Sequence, residues 1–203
     1  MIKRTSKKFV DQLIINNSNW KILDIGCGYG AHKSATTICD KIDLKDFYKD
    51  KNFIKIDTDN LPFKDREFDF VIASHVLEHV ENIDKFISEL ERVSKKGYIE
   101  LPTILEDNLV FENKKDHLWH MEFDDNSNEL IISNRIQYIE PILTVSSIKK
   151  LDKVFKQSLI LELLWEDKIN YKKIEKNLND NKFSRVKFLR KFCSKIFRNL
   201  LRS

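Results

Sequence analysis

At 203 residues, with 41% hydrophobic and 33% charged side chains, the chain has the make-up of one soluble domain with a full core, and not that of a disordered or fibrous protein. Three cysteines, at positions 27, 39 and 193, form neither a CxxC pair nor an even framework, which excludes a disulfide scaffold and points to a reducing, cytoplasmic setting. The net charge of +4 joins two opposed parts: residues 182–203 hold eight Lys or Arg and no acid, leaving 28 basic and 32 acidic residues in 1–181. The basic N-terminus has no apolar run longer than Leu13-Ile14-Ile15, so neither a signal peptide nor a membrane span is expected.

In chain order, "WKILDI" (20–25) reads as a strand buried on both faces. "ATTICD" (35–40) and "FIKID" (53–57) are short β-branched strands that each end in aspartate, and "FDFVIAS" (68–74) is another buried strand. A helix is predicted over 82–95, with Ile83, Phe86, Ile87, Leu90 and Val93 on one face and Gly97 as its stop. "GYIELP" (97–102) follows as a strand. A second helix is predicted over 147–156, capped by Ser146 or Ser147, with Ile148, Leu151, Val154 and Phe155 on one face. "SLILELLW" and "KINYKKI" flank Glu166-Asp167 as an antiparallel hairpin at the sheet edge. Alternating strands and crossovers indicate an α/β fold with a doubly wound, mostly parallel sheet.

Three of the four glycines, Gly26, Gly28 and Gly30, fall in the loop that leaves the first buried strand, directly after Asp24 and Ile25. In an open parallel sheet, ligands bind beyond the carboxyl ends of the strands, beside the first one. A carboxylate at the end of the second strand suits a ribose, which favours Asp40, with Asp43 as the alternative. At the third strand's end, Asp57 and Thr58 stand where an adenine edge could be bonded. Strand ends also carry aspartate for turn chemistry alone.

These motifs, "ILDIGCGYG" and then "IDTDNLPFKDREFDFVIASHVLEHV", resemble the S-adenosylmethionine-dependent methyltransferases of the seven-stranded Rossmann-like superfamily, most closely methyltransferase type 11, over about residues 20–103. The resemblance implies S-adenosyl-L-methionine as cofactor. Asp24, Gly26 and Gly28 would line its methionine portion, Asp40 its ribose, and Asp57 and Thr58 its adenine, with Gly30 also cofactor-binding. Ser74 and His75 would face the reacting side. Only ten residues separate Gly30 from Asp40, so the first crossover is too short for a full helix and strand. An acceptor that carries a proton calls for a base, for which His75, His117 and His120 are the candidates, with His79 also near. No metal is called for in this reading. The acceptor is expected to be a small molecule or a cell-envelope glycan precursor, chosen by residues 103–146, with "DHLWHMEF" (116–123) as its wall; nucleic acid is not expected.

Three other readings compete. "HVLEH" matches H-x-x-E-H, which on a helix would make His75 and His79 zinc ligands and Glu78 the base of a hydrolase. An NAD enzyme is disfavoured because the third glycine comes one residue early. A methyltransferase fold that binds without catalysing is the third. The chain is divided into a body, 1–181, and a basic amphipathic helix, 182–203, whose apolar stripe (Val186, Leu189, Cys193, Ile196, Leu200, flanked by Phe192 and Phe197) suits an anionic membrane surface or packing on protein. The expected location is cytoplasmic, with peripheral contact to the inner face of the membrane.

Overall fold

The computed structural model describes residues 1–56, 60–176 and 185–200, apart from the side chains of 185–188, 196, 199 and 200. In chain order the elements are β1 (Ile2–Arg4), α1 (Lys7–Asn16), β2 (Ile22–Ile25), β3 (Thr37–Asp40), β4 (Asn52–Lys55), β5 (Phe70–Ser74), α2 (Ile83–Val93) and β6 (Lys96–Pro102). There follow α3 (Ile104–Leu109), α4 (Asn113–Asp116), β7 (Trp119–Asp124), β8 (Glu129–Asn134), α5 (Val145–Leu159), β9 (Ile160–Glu166), β10 (Tyr171–Ile174) and α6 (Arg185–Leu200). A single 3-10 turn, Leu77–His79, leads from β5 towards α2.

Seven strands make one sheet in the order β1-β9-β6-β5-β2-β3-β4. β4, β3, β2, β5 and β6 run parallel, and β9 is antiparallel to both of its neighbours. This is the doubly wound, mostly parallel architecture expected. The chain leaves β2 on one side towards β3 and reaches β5 on the other, so the switch point lies at β2. β2 and β3 are buried at every residue, as their unbroken apolar runs require. One face packs on α2, whose Ile83, Phe86, Ile87, Leu90 and Val93 join the main core. The other packs on α1, where Val10 and Ile14 meet Ile22, Ile38, Phe70 and Tyr98.

The expected hairpin of 158–174 does not form. β9 is apolar enough to be buried at Ile160, Leu161, Leu163 and Trp165, and it enters the sheet between β6 and β1. Its antiparallel edge partner is the N-terminal strand, in which Ile2 is fully buried while Lys3 and Arg4 face solvent. β10, with its two exposed lysines, pairs in parallel with β8 in a separate three-stranded sheet, β10-β8-β7. The helix of 147–156 runs from Val145 to Leu159 and is capped by Thr144 rather than by either serine. Of the face assigned to it only Ile148 is buried; Leu151, Val154 and Phe155 are exposed.

Gly97 is no helix stop. α2 ends at Val93, and Gly97 lies within β6 opposite Trp165, where an added Cβ would come within 2.6 Å of both the Trp165 Nε1 and the Val71 carbonyl oxygen. Because Val71 is backbone, the contact cannot be relieved by a rotamer change. Gly97→Ala is therefore expected to cost about 1–3 kcal/mol of stability, measured by urea unfolding followed through tryptophan fluorescence.

Candidate active site

The glycine loop opens at the carboxyl end of β2. Gly26 has φ +64°, and a Cβ there would strike Val76 Cγ2 at 2.5 Å, so both conformation and space demand glycine. Gly28 also has a positive φ, +46°, but nothing lies within 4 Å of where its Cβ would be. Space is kept open there, which is what a close ligand requires. Gly30 has no positive φ and equally open surroundings.

No helix forms between β2 and β3, as the spacing implied. The loop's backbone is satisfied by other means. Gly26 and Cys27 N–H donate to the Cys39 carbonyl, at 2.8 and 3.2 Å. The Tyr48 hydroxyl donates to the Gly28 carbonyl at 2.8 Å and accepts from Ala31 N–H at 3.0 Å. Lys51 Nζ donates to the carbonyls of His32, Lys33 and Ala35. Asp40, at the end of β3, accepts from Gly28 N–H at 2.8 Å and from Ile42 N–H at 2.9 Å, one through each oxygen. Asp43 instead accepts from Lys45 N–H in an exposed turn. Asp40 is thus the strand-end carboxylate joined to the glycine loop, and each of its oxygens keeps a second lone pair for a ligand. Asp24 is buried in β2 and accepts from His32 N–H at 2.6 Å. Burial drives its pKa up to about 6, against the opposing pull of that bond and of nearby His32, Lys51 and Lys7. Asp57 and Thr58 lie outside the described residues.

Across the loop, β5 ends at Ser74, and His75 takes φ +54°, a left-handed conformation that few non-glycine residues adopt. Its amide donates to the Glu100 carbonyl at 2.9 Å. The imidazole stands with Nδ1 3.4 Å from Glu78 Oε1 and Nε2 3.7 Å from Glu100 Oε1. Burial alone would lower its pKa; the close Glu78 carboxylate, with the charges of Glu100 and Glu106, outweighs that and holds it above the ordinary histidine value. Asp24, Gly26, Gly30, Ser74 and His75 all border one open cleft of about 850 Å³. Its outer walls are residues the sequence reading missed: Lys7, Val10 and Asp11 of α1, and Lys149, Asp152 and Lys156 of α5. Their only signal was helical spacing, which shows no destination.

The segment 116–123 does not wall this cleft. Met121 is buried in the main core, and Trp119 packs against that core with its Nε1 donating to the Val80 carbonyl at 2.8 Å. His117 and His120 are also absent from the cleft lining. Both are buried around Asp107, His117 through Nδ1 at 2.5 Å and His120 through Nε2 at 2.8 Å, with Arg135 Nε also 2.8 Å away. Burial would raise the Asp107 pKa, but these three partners bring it down to about 2. His120 is 2% exposed and stacks on Tyr138, which makes it a structural histidine and corrects its reading as a base. His117 reaches no cleft residue directly either. The hydrolase geometry fails as well: His75 precedes the 3-10 turn in a left-handed conformation, so His75 and His79 are not a helical i, i+4 pair.

Residues 23–99 match the family described as methyltransferase domain. An uncharacterized protein of Methanocaldococcus jannaschii is 32% identical over 183 residues, covering 74% of this chain and 81% of that protein. The chain belongs to the S-adenosylmethionine-dependent methyltransferases, type 11. Its cofactor is S-adenosyl-L-methionine. A ubiquinone biosynthesis O-methyltransferase of Rickettsia bellii is 32% identical over 103 residues, 43% of each chain. Among solved structures, YcgJ of Bacillus subtilis aligns with a TM-score of 0.47 at 12% identity, over 79% of this chain and 99% of that one. The site fits the methyltransferase cofactor on its own geometry, through the open cradle at Gly28, the buried Asp24 and the strand-end Asp40.

The two positive-φ glycines separate ligand space from packing. At Gly28 an added Cβ meets no neighbouring atom, and the backbone strain of Gly28→Val costs about 1–3 kcal/mol. The variant is expected to fold and yet lose S-adenosylhomocysteine binding by calorimetry. Gly26→Ala, which strikes Val76, is expected to lose stability as well.

Proposed function

We propose that this methyltransferase acts on an oxygen or nitrogen of a small molecule or a cell-envelope glycan precursor that enters the cleft beside His75. The observation that carries the reading is the juxtaposition in one cleft of Asp24, Gly26 and Gly30 with, across from them, an imidazole on a residue in a left-handed backbone conformation. The charged walls, Glu100, Lys149, Asp152 and Lys156, suit a polar acceptor. The local likeness to the R. bellii O-methyltransferase favours oxygen over nitrogen.

Held at the glycine loop beside Asp24 and Asp40, the cofactor would supply a methyl group already activated on a sulfonium sulfur. The chain's task is alignment and exclusion of water. The braced loop fixes the donor side, and His75 is the group in this reading that meets the acceptor and takes its proton. A screen of envelope sugars, small acids and amines, and nucleic acids for methyl transfer is expected to find turnover among the first two classes. His75→Ala is then expected to lower kcat more than S-adenosylhomocysteine affinity. Binding of S-adenosylhomocysteine without turnover on any class would instead favour a non-catalytic binding protein.

We further infer that the body, 1–181, governs chemistry and the basic tail, 182–203, governs location at the inner face of the membrane. In α6, Leu189, Phe192 and Phe197 are exposed beside exposed Arg190, Lys191, Lys195 and Arg198, a composition suited to anionic headgroups. No helix among the described residues is long and apolar enough to cross a membrane. Deleting 182–203 is expected to abolish sedimentation with anionic liposomes at low salt and to leave cofactor affinity unchanged. Full-length protein that ignores such liposomes would overturn the reading.

A further inference from the structure

Beside the cleft, one polar group is left without a function by the cofactor and acceptor roles. Glu78 is 1% exposed, and neither of its carboxylate oxygens has a hydrogen-bond partner. A buried ionised carboxylate needs a compensating positive charge. The nearest histidine, His75, stands on its cleft side at 3.4 Å and makes no hydrogen bond to it.

On its other side, Glu78 meets two imidazoles. His79 follows it in the 3-10 turn, and His117 arrives from the end of α4, their rings edge to face with centroids 4.6 Å apart. One ligand atom from each of Glu78, His79 and His117 lies within 4.8 Å of the other two. The turn and the second sheet hold this arrangement together, for Leu118 N–H donates to the Glu78 carbonyl at 2.7 Å and Trp119 clamps Val80.

The hydrogen bonds also choose the tautomers. His79 Nδ1 faces the Asp116 carbonyl oxygen at 3.0 Å, and His117 Nδ1 faces the Asp107 carboxylate. Each acceptor fixes the proton on Nδ1 and leaves Nε2 with a free lone pair. An imidazole oriented by a carboxylate or carbonyl through one nitrogen, with the other nitrogen free, is the arrangement that supports metal-ligating histidines. Asp107 is itself fixed by His120 and Arg135. Two imidazole nitrogens and one carboxylate suit zinc or a similar divalent transition metal, and three protein ligands leave a fourth position open.

We propose that Glu78, His79 and His117 form a three-ligand site for a divalent transition metal, zinc foremost, on the acceptor side of the cofactor cleft. Glu78 is a ligand here, not the base of a hydrolase, and His75 is the side chain between the metal and the cleft. His79 is exposed, so the site is open to solvent. A role for the open position in holding an acceptor oxygen rests on the methyl-transfer reading; metal binding does not.

Full-length protein stripped with chelator and titrated with Co²⁺ is expected to bind one equivalent and to show the visible bands of a tetrahedral ion, which Zn²⁺ then displaces. Glu78→Gln, which removes the buried charge, is expected to keep the fold, to weaken Co²⁺ binding more than about 100-fold and to abolish the metal-induced rise in Tm. His79→Ala, at an exposed position, and His117→Ala are expected to weaken binding similarly. S-adenosylhomocysteine calorimetry on each variant serves as the test of fold and of the cofactor site. Failure of the parent to take up Co²⁺, or parent-like uptake by Glu78→Gln and His79→Ala, overturns the metal site. Metal uptake without S-adenosylhomocysteine binding would instead overturn the methyl-transfer reading and leave the metal site standing.

Discussion

The site depends on a connection that is too short. Between β2 and β3 the chain must cross to a parallel neighbour, and residues 26–36 do so without a helix. A helix would satisfy its own backbone and cover one face of the sheet; this loop does neither. Its amides and carbonyls are instead taken up by the Cys39 carbonyl, the Asp40 carboxylate, the Tyr48 hydroxyl and the Lys51 ammonium. The loop is thereby tied to the strand end that carries Asp40. The uncovered face is filled by α1, whose Val10 and Ile14 pack on Ile22, Ile38 and Phe70. That packing brings Lys7 and Asp11 to the rim of the cleft. A covering problem in the sheet and the shape of the cleft rim therefore have one cause.

Around α3 the packing is organised by charge. Glu106 and Asp107 are adjacent and both buried, yet their acidities diverge. Burial raises Glu106 to about 7, only partly countered by His75 and His117, whereas Asp107, with His117, His120 and Arg135 directly on it, falls to about 2. The difference lies in direct partners, not in depth. Asp107 anchors the segment leading into β7, and β7 in turn braces the turn that carries Glu78 and His79. The second sheet thus sets the position of the turn that follows His75.

Much of this was legible. The runs "WKILDI" and "FDFVIAS" hold strands, Ile22–Ile25 and Phe70–Ser74, because their apolar residues are buried in the sheet, and Gly26 and Gly28 prove to need their positive φ. Asp40 could be chosen over Asp43 because it closes an apolar run. Other elements were ambiguous for definite reasons. "ILELLW" and "YKKI" both read as strands, but local pattern does not name a partner, and a terminal strand of three residues took the place beside β9. Gly97, read as a helix stop, is shaped by a tryptophan 68 positions away in the chain. Neither Tyr48 nor Lys51 carries a motif, since a side chain that braces a backbone needs only reach and a donor.

By itself the sequence determined the parallel sheet, the glycine loop that follows β2 and the shortness of the first crossover, because each follows from local patterning and from the length of chain available between two strands. Only the tertiary structure decided which histidine serves which purpose. His75, His79, His117 and His120 are equivalent as residue types; one borders the cleft, two meet Glu78 and one is sealed beneath Asp107. Their roles depend on which nitrogen is engaged, by what acceptor and at what depth, and those are properties of packing between segments far apart in the chain.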